Sequence, residues 1–278
     1  MSEATPANEA PSAERDEAST PAESDEATKP AETILHQEIA VGSAQLERPA
    51  RGLFLSAVSA GLDIGFGPLM VATVMAMVPG AGLGTRLTIA LVYAIGFLIV
   101  ILGRSELFTE HTTLAVLPLL DGRTTIRRVA RLWGLVYVGN LLGAVAFAAL
   151  AVPMGLGLGL FAEADLLRMT AHLTDHGVAV ILGSAVAAGW LMGLVSWLVT
   201  AARDTMGQVM IILLVTGAIA FLGLHHSIAG SVEVLMGVVA GEVTVASFAR
   251  FLALATVGNA IGGIVLVAGL KFGHVSQA

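Results

Sequence analysis

The sequence predicts an all-α membrane protein of six transmembrane helices, built as an inverted repeat of three plus three, with helices 2 and 5 interrupted. Three observations carry this. Of 278 residues, 56% are hydrophobic and only 13% charged, about half the charged share of an ordinary globular domain, and the mean hydropathy is +0.84. Six apolar runs are long enough to cross the hydrocarbon core, which takes about 20 residues. Finally, a Gly-Asn-x-x-Gly motif occurs twice, at Gly139–Gly143 and Gly258–Gly262, each after a polar break in the preceding run.

Charge is concentrated at the N-terminus. Residues 1–48 hold 11 of the 21 acids and 3 of the 14 Lys and Arg. Rich in Ala, Glu, Ser, Thr and Pro, this stretch is expected to be a disordered acidic tail, because it has too little apolar area to offset ordering entropy. It lacks the basic and apolar regions of a signal peptide. Ile34 to Val41 forms a short amphipathic patch within it. The net charge of −7 belongs to this tail and says little about partners, and no nucleic-acid partner is expected. Cysteine is absent, so disulfide and thiolate chemistry are excluded. Neither a cofactor nor a metal site is expected.

The transmembrane domain covers 49–272, with a short C-terminal tail at 273–278. Its first run is Leu53–Val78, interrupted by Asp63, and its second is Leu87–Leu120. The third spans Leu132–Leu158 and the fourth Val178–Ala202. Val209–Ala240 is the fifth, interrupted at His225 and His226, and Phe251–Phe272 the sixth. Short connections that would face the cytoplasm carry Arg48, Arg51, Arg123, Arg127, Arg128, Arg131, Arg203 and Lys271, against Arg86, Arg168 and Arg250 on the other side. Cytoplasmic loops collect Lys and Arg, so both termini are expected inside, in a multi-pass inner-membrane protein.

Runs two and five match. Each has 16 residues, a polar break and nine more: Leu87–Leu102 then Thr112–Leu120, and Val209–Leu224 then Val232–Ala240. Interrupted helices at corresponding places in an inverted repeat point to a central site. Non-helical backbone survives at membrane depth only where protein or a water-filled cavity covers it, so the breaks should face each other. Their half-helix N-termini would direct N–H groups and a positive dipole end inward, which suits an anion.

The first break carries Arg104, Glu106, Glu110 and His111, in a setting where charge is costly and usually functional. His226, in the second, is the residue type whose charge changes near neutral pH. His225 and His111 rank below it. Glu106 and Glu233 are candidates to pair with Arg104 or to cap a helix. Asp63 needs an interior partner, since a charge at that depth costs about 2.5–3.5 kcal/mol on insertion scales. The motif glycines read as close-packing positions, and Asn140 and Asn259 as supports for the break loops. An intramembrane hydrolase using Ser227 with a neighbouring histidine is disfavoured, because adjacent residues rarely present nucleophile and base to one another. A neutral-solute channel of the aquaporin type is the main alternative; it shares the inverted repeat, but Asn-Pro-Ala occurs at neither break.

Ser105-Glu106-Leu107-Phe108-Thr109, the Gly-Asn pairs at 139–140 and 258–259, and His226-Ser227-Ile228-Ala229 resemble the formate/nitrite transporter family over roughly 50–272. The resemblance implies an aquaporin-like six-helix protomer assembled as a homopentamer, each protomer with its own pore. It implies transport of a small monovalent weak-acid anion such as formate or nitrite, coupled to protons through His226, with Thr109 hydrogen-bonded to that histidine. It makes 104–112, Phe108 included, a mobile loop. Leu107 with Tyr93 and Phe97 on one side, and Ile219 on the other, become the apolar constrictions. The chain departs from better-known members in three ways. The family's helix-four lysine has no counterpart, because Lys29 and Lys271 are the only lysines. Arg104 occupies a loop position that is small in those members, and is expected, with Arg168, to supply the missing positive potential. His225 stands where an acid commonly precedes the central histidine. These departures resemble a divergent branch of the family.

Overall fold

The computed structural model describes residues 1, 29–78, 80 and 82–277. The expected disorder of most of the acidic tail falls outside these residues. Described residues form helices: α1 Ala31–Glu47, α2 Ala50–Asp63, α3 Phe66–Met77, α4 Leu83–Leu102, α5 Phe108–Leu114, α6 Leu117–Leu120, α7 Ile126–Gly157, α8 Glu163–Thr174, α9 Val178–Ala201, α10 Thr205–Leu222, α11 Ser227–Val239 and α12 Val245–Ile261, continued by a π-helical turn Gly262–Gly269 into α13 Leu270–Val275. Six helical stretches are long and apolar enough to span a membrane. The interruptions lie where the polar breaks predict, between α4 and α5 and between α10 and α11.

One expectation is corrected. Residues 31–47 are an ordered helix, not tail. Ile34, Leu35, Ile39 and Leu46 are buried along one face of α1, three of them in a cluster with Val116, Leu117, Trp197 and Val275. An average over composition hides four apolar residues at helical spacing. Glu38 on the same face is 1% exposed. Its carboxylate accepts from Ser196 Oγ at 2.8 Å and from the Thr200 hydroxyl, both on α9. Burial pushes this carboxyl above its usual range, while the two hydroxyls oppose that shift. Lys29 Nζ donates to the Thr200 carbonyl at 2.6 Å, fastening the start of the helix as well.

The two halves repeat atom by atom. Asn140 Oδ1 accepts from the Phe108 N–H at 2.8 Å, and its Nδ2 donates to the carbonyls of Ala57 and Glu106, each at 2.8 Å. Asn259 Oδ1 accepts from the Ser227 N–H at 2.7 Å, and its Nδ2 donates to the carbonyls of Ala185 at 2.8 Å and His225 at 2.9 Å. Each asparagine thus pins the first helix of its half to the point where the break enters the second half-helix. The glycines repeat too. A Cβ on Gly61 would sit 2.1 Å from the Asn140 carbonyl oxygen, and one on Gly189 2.1 Å from that of Asn259. At both crossings helix backbones touch, which only glycine permits.

This network sets the internal register. Asn140 and Asn259 are 119 positions apart, as are Phe108 and Ser227, and Glu106 and His225. His226 therefore has Leu107 as its counterpart in the first half, one position before Phe108 and two before Thr109. Gly223 has Arg104. Both residues adopt the left-handed conformation that ends α10 and α4, with φ of 66° and 58°. Each following residue closes the same turn, Leu224 N–H to the Ile219 carbonyl and Ser105 N–H to the Val100 carbonyl. Among the described residues Arg104 is the sole non-glycine with positive φ.

Candidate functional site

Two cavities enter the protein from opposite faces. The face carrying both termini holds one of about 420 Å³, bordered by α1 and by Arg104, Ser105, Glu106, Glu110 and His111 of the first break. The far face holds one of about 290 Å³, bordered by Arg86, Tyr93, Arg168, His172, Leu224 and Glu233. Tyr93 and Ile101 sit on the same helix and line different cavities. Eight residues of helix separate them, about 12 Å. Phe97, an expected constriction residue, lies within that interval. Phe97, Leu107 and Ile219 have no exposed surface, and Tyr93 is 4% exposed. The Tyr93 and Phe97 rings are 5.3 Å apart, and Phe97 meets the His226 ring edge-on at 5.1 Å.

Thr109 and His226 meet at the centre. Thr109 Oγ1 lies 2.9 Å from His226 Nε2, and the two side chains are 0% and 1% exposed. His226 is the N-cap of α11, its Nδ1 accepting from the Ala229 N–H at 3.1 Å. That acceptor role fixes the tautomer of the neutral ring: the proton resides on Nε2 and is donated to Thr109 Oγ1. The Thr109 hydroxyl proton is then free to point elsewhere.

Several expected residues fall in other settings. Phe108 packs away from the constriction, its ring 4.9 Å from that of Tyr137 and 6.0 Å from that of Trp133 on α7. Glu106 does not pair with Arg104. It is held by Arg48, which directly follows α1, and by His111 Nε2 at 2.5 Å. Arg104 projects into the terminal-face cavity without a hydrogen-bond partner among the described residues. Asp63 accepts from Ser59 Oγ at 3.0 Å and Ser105 Oγ at 3.2 Å, the interior partners its depth demands. The first N–H of each half-helix is taken by an asparagine, and a second on α11 by His226. The N-termini therefore present fewer free N–H groups to an anion than expected. Ser227 Oγ is buried with no partner, so it is not bonded to either neighbouring histidine.

Sequence reasoning missed Ser184, whose hydroxyl lies 2.8 Å from His225 Nδ1 and accepts from the His225 N–H at 3.0 Å. Glu233, a candidate to pair with Arg104 or to cap a helix, instead sits inside α11 and opens into the far cavity. His172 Nε2 of α8 is 4.0 Å from its carboxylate. Burial pushes the His172 imidazole below its usual range. Among the described residues no cluster of three His, Asp or Glu side chains is spaced to hold a metal ion.

A family model described as formate/nitrite transporter matches residues 32–273. The chain belongs to the formate/nitrite transporter family. Transmembrane movement of a small anion follows as its function, and the family is one of transporters, not enzymes. The chain is 33% identical over 241 residues to "Inner membrane protein YfdC" of Escherichia coli K12, covering 84% of this chain and 76% of that protein. A solved "FNT family ion channel" superposes with a TM-score of 0.78 at 21% identity, over 88% of this chain and 98% of the other. A "Pentameric formate channel with formate bound" superposes with a TM-score of 0.70 at 24% identity, over 82% and 98%. These establish the six-helix channel fold of a multi-pass membrane protein. The aquaporin-type alternative gains no support from them.

Proposed function

We propose that this chain conducts a small monovalent weak-acid anion of the formate or nitrite class, coupled to a proton, through one pore per protomer of a homopentamer. The observation that carries the reading is the Thr109–His226 contact of 2.9 Å between the two cavities, walled by apolar side chains. A bare anion entering such a constriction pays a desolvation cost far above that of its neutral acid. With His226 donating from Nε2, the Thr109 hydroxyl is left to donate to an approaching anion oxygen. The proton enters with the anion, and Thr109, polarised by the His226 N–H, hydrogen-bonds the neutral acid as it passes Phe97 and Leu107. Arg104 supplies positive potential at the terminal-face mouth, and Arg168 at the other. Asn140 and Asn259 hold the two breaks in register, and Ser227 joins that support through its N–H.

The pentamer is inferred from the assembly named for the structural relative. Exposed Leu87, Leu91, Val138, Leu142, Leu150, Leu214 and Val257 fit a surface covered by lipid or by other protomers. The excess of Lys and Arg near the termini supports a cytoplasmic position for that face.

Proteoliposomes offered formate, nitrite, hydrosulfide, acetate and glycerol test the reading. Uptake of the weak-acid anions, lost in His226→Asn, is the expected result. Uptake of glycerol alone overturns it, and full retention of anion uptake in His226→Asn removes His226 from the coupling.

A further inference from the structure

The far cavity has a polar floor that the central pair does not use. Glu233, projecting from α11, is 4% exposed, yet it lines the cavity and has no hydrogen bond to any described residue. A buried carboxylate aimed into a cavity that must admit anions repels them while it is ionised. The arrangement makes sense if the carboxyl carries a proton. Its neighbours allow that. His172 Nε2 stands 4.0 Å away at the solvent side, with 42% of its side chain exposed. Tyr93 contributes its ring to the same cavity on the constriction side.

We infer that Glu233 and His172 form a proton-loading site of the far cavity, which converts an arriving monocarboxylate-type anion to its neutral acid before the constriction. Arg86 and Arg168 at the rim draw the anion in. Glu233 then donates its carboxyl proton to the anion's oxygen; one O–H bond breaks, one forms, and the charge moves onto the carboxylate. A proton from bulk water returns through the half-exposed His172 imidazole to Glu233. The neutral acid continues past Tyr93 and Phe97 toward Thr109.

The elements around Glu233 bring the following ionisable groups toward it. From α8 come His172 and Arg168, with His176 just beyond the helix, and Arg168 is itself bound to Asp165. Tyr93 and Arg86 come from α4. On α12, Arg250 turns to the carbonyls of Thr174 and His176. Tyr137 of α7 is committed to Thr256. Glu110 and His111 of α5 lie with the other cavity, and α3 carries no ionisable side chain. His172 is thus the base nearest Glu233 and the route to solvent.

This inference rests on weak-acid transport as proposed above. The test is formate uptake by proteoliposomes as the pH on the far side is varied. Without a loading carboxyl, uptake draws on neutral acid already present in bulk, which falls tenfold per pH unit above the acid's own pKa. Glu233→Gln is expected to lose about a hundredfold of uptake across about two pH units, where the wild type loses less than tenfold. His172→Gln steepens the profile in the same sense, and Glu233→Asp, which keeps the carboxyl, restores the shallow one. Parallel profiles for wild type and Glu233→Gln overturn the loading site while leaving anion transport intact. A wild type that takes up no weak-acid anion at any pH overturns both.

Discussion

Removing either break-pinning asparagine should damage the protein by the same amount. Asn140→Ala leaves the Phe108 N–H and the carbonyls of Ala57 and Glu106 without their partner. Asn259→Ala does the same to the Ser227 N–H and the carbonyls of Ala185 and His225. A buried polar group left unpaired costs about 1–3 kcal/mol. Carbonyls have a second lone pair and recover part of that, so the three together come to about 3–5 kcal/mol per variant. For a chain of this size each kcal/mol moves the midpoint by about 2–4 °C, so each variant should unfold about 10 °C lower in detergent. The assay is thermal unfolding followed by the fraction that remains monodisperse. Both variants should also lose anion uptake in liposomes below their unfolding temperature, because the loops carrying Leu107 and His226 come loose. A loss below about 1 kcal/mol for either one, or a severalfold inequality between them, would refute the claim that the two halves are built on one network.

Four further outcomes follow from geometry already described. Arg104→Gly removes the strain of a left-handed arginine, about 1 kcal/mol, so it should leave stability unchanged or raised in the melting assay while weakening anion uptake. Arg104→Ala should weaken uptake without that relief, and unchanged uptake in both would dismiss the electrostatic role. Gly61→Ala and Gly189→Ala each place a Cβ 2.1 Å from a backbone oxygen, so each should lower the melting point, measurably more than Gly134→Ala, whose Cβ meets nothing within 4 Å. Because burial raises the Glu38 carboxyl, its contribution is fully present below the ordinary carboxylate range and lost as pH rises through the raised value. A spin label at the exposed Val41 should therefore grow more mobile as pH increases, and Glu38→Gln should make its mobility independent of pH.

Much of this architecture was legible in the residues. Apolar runs give the spans because lipid leaves the backbone no other partner, and the polar breaks give the interruptions for the same reason. The pairing of Thr109 with His226 came from the family resemblance, and the structure places the two 2.9 Å apart. The register between the halves is carried by the two asparagines, which stand 119 apart and make Leu107, not Thr109, the counterpart of His226. Ordering of 31–47 was hidden because its four spaced apolar residues are averaged into the acid-rich stretch 1–48, although they decide its packing. Arg48 as the partner of Glu106, Ser184 as that of His225, and the opening of Glu233 toward the far cavity depend on how helices distant in sequence are rotated against each other. Periodicity within one run does not carry that information.

The asparagine network also constrains the order in which the chain can be made. Asn140 lies 34 positions after Glu106, and Asn259 34 after His225. During synthesis the second helix of each half is complete, with an open stretch of backbone at its middle, before the residue that satisfies that stretch has left the ribosome. Lipid offers those amides and carbonyls nothing. Each break must therefore wait at an aqueous or protein-lined site until the third helix follows. Insertion is expected to proceed in two packets of three helices rather than six independent steps.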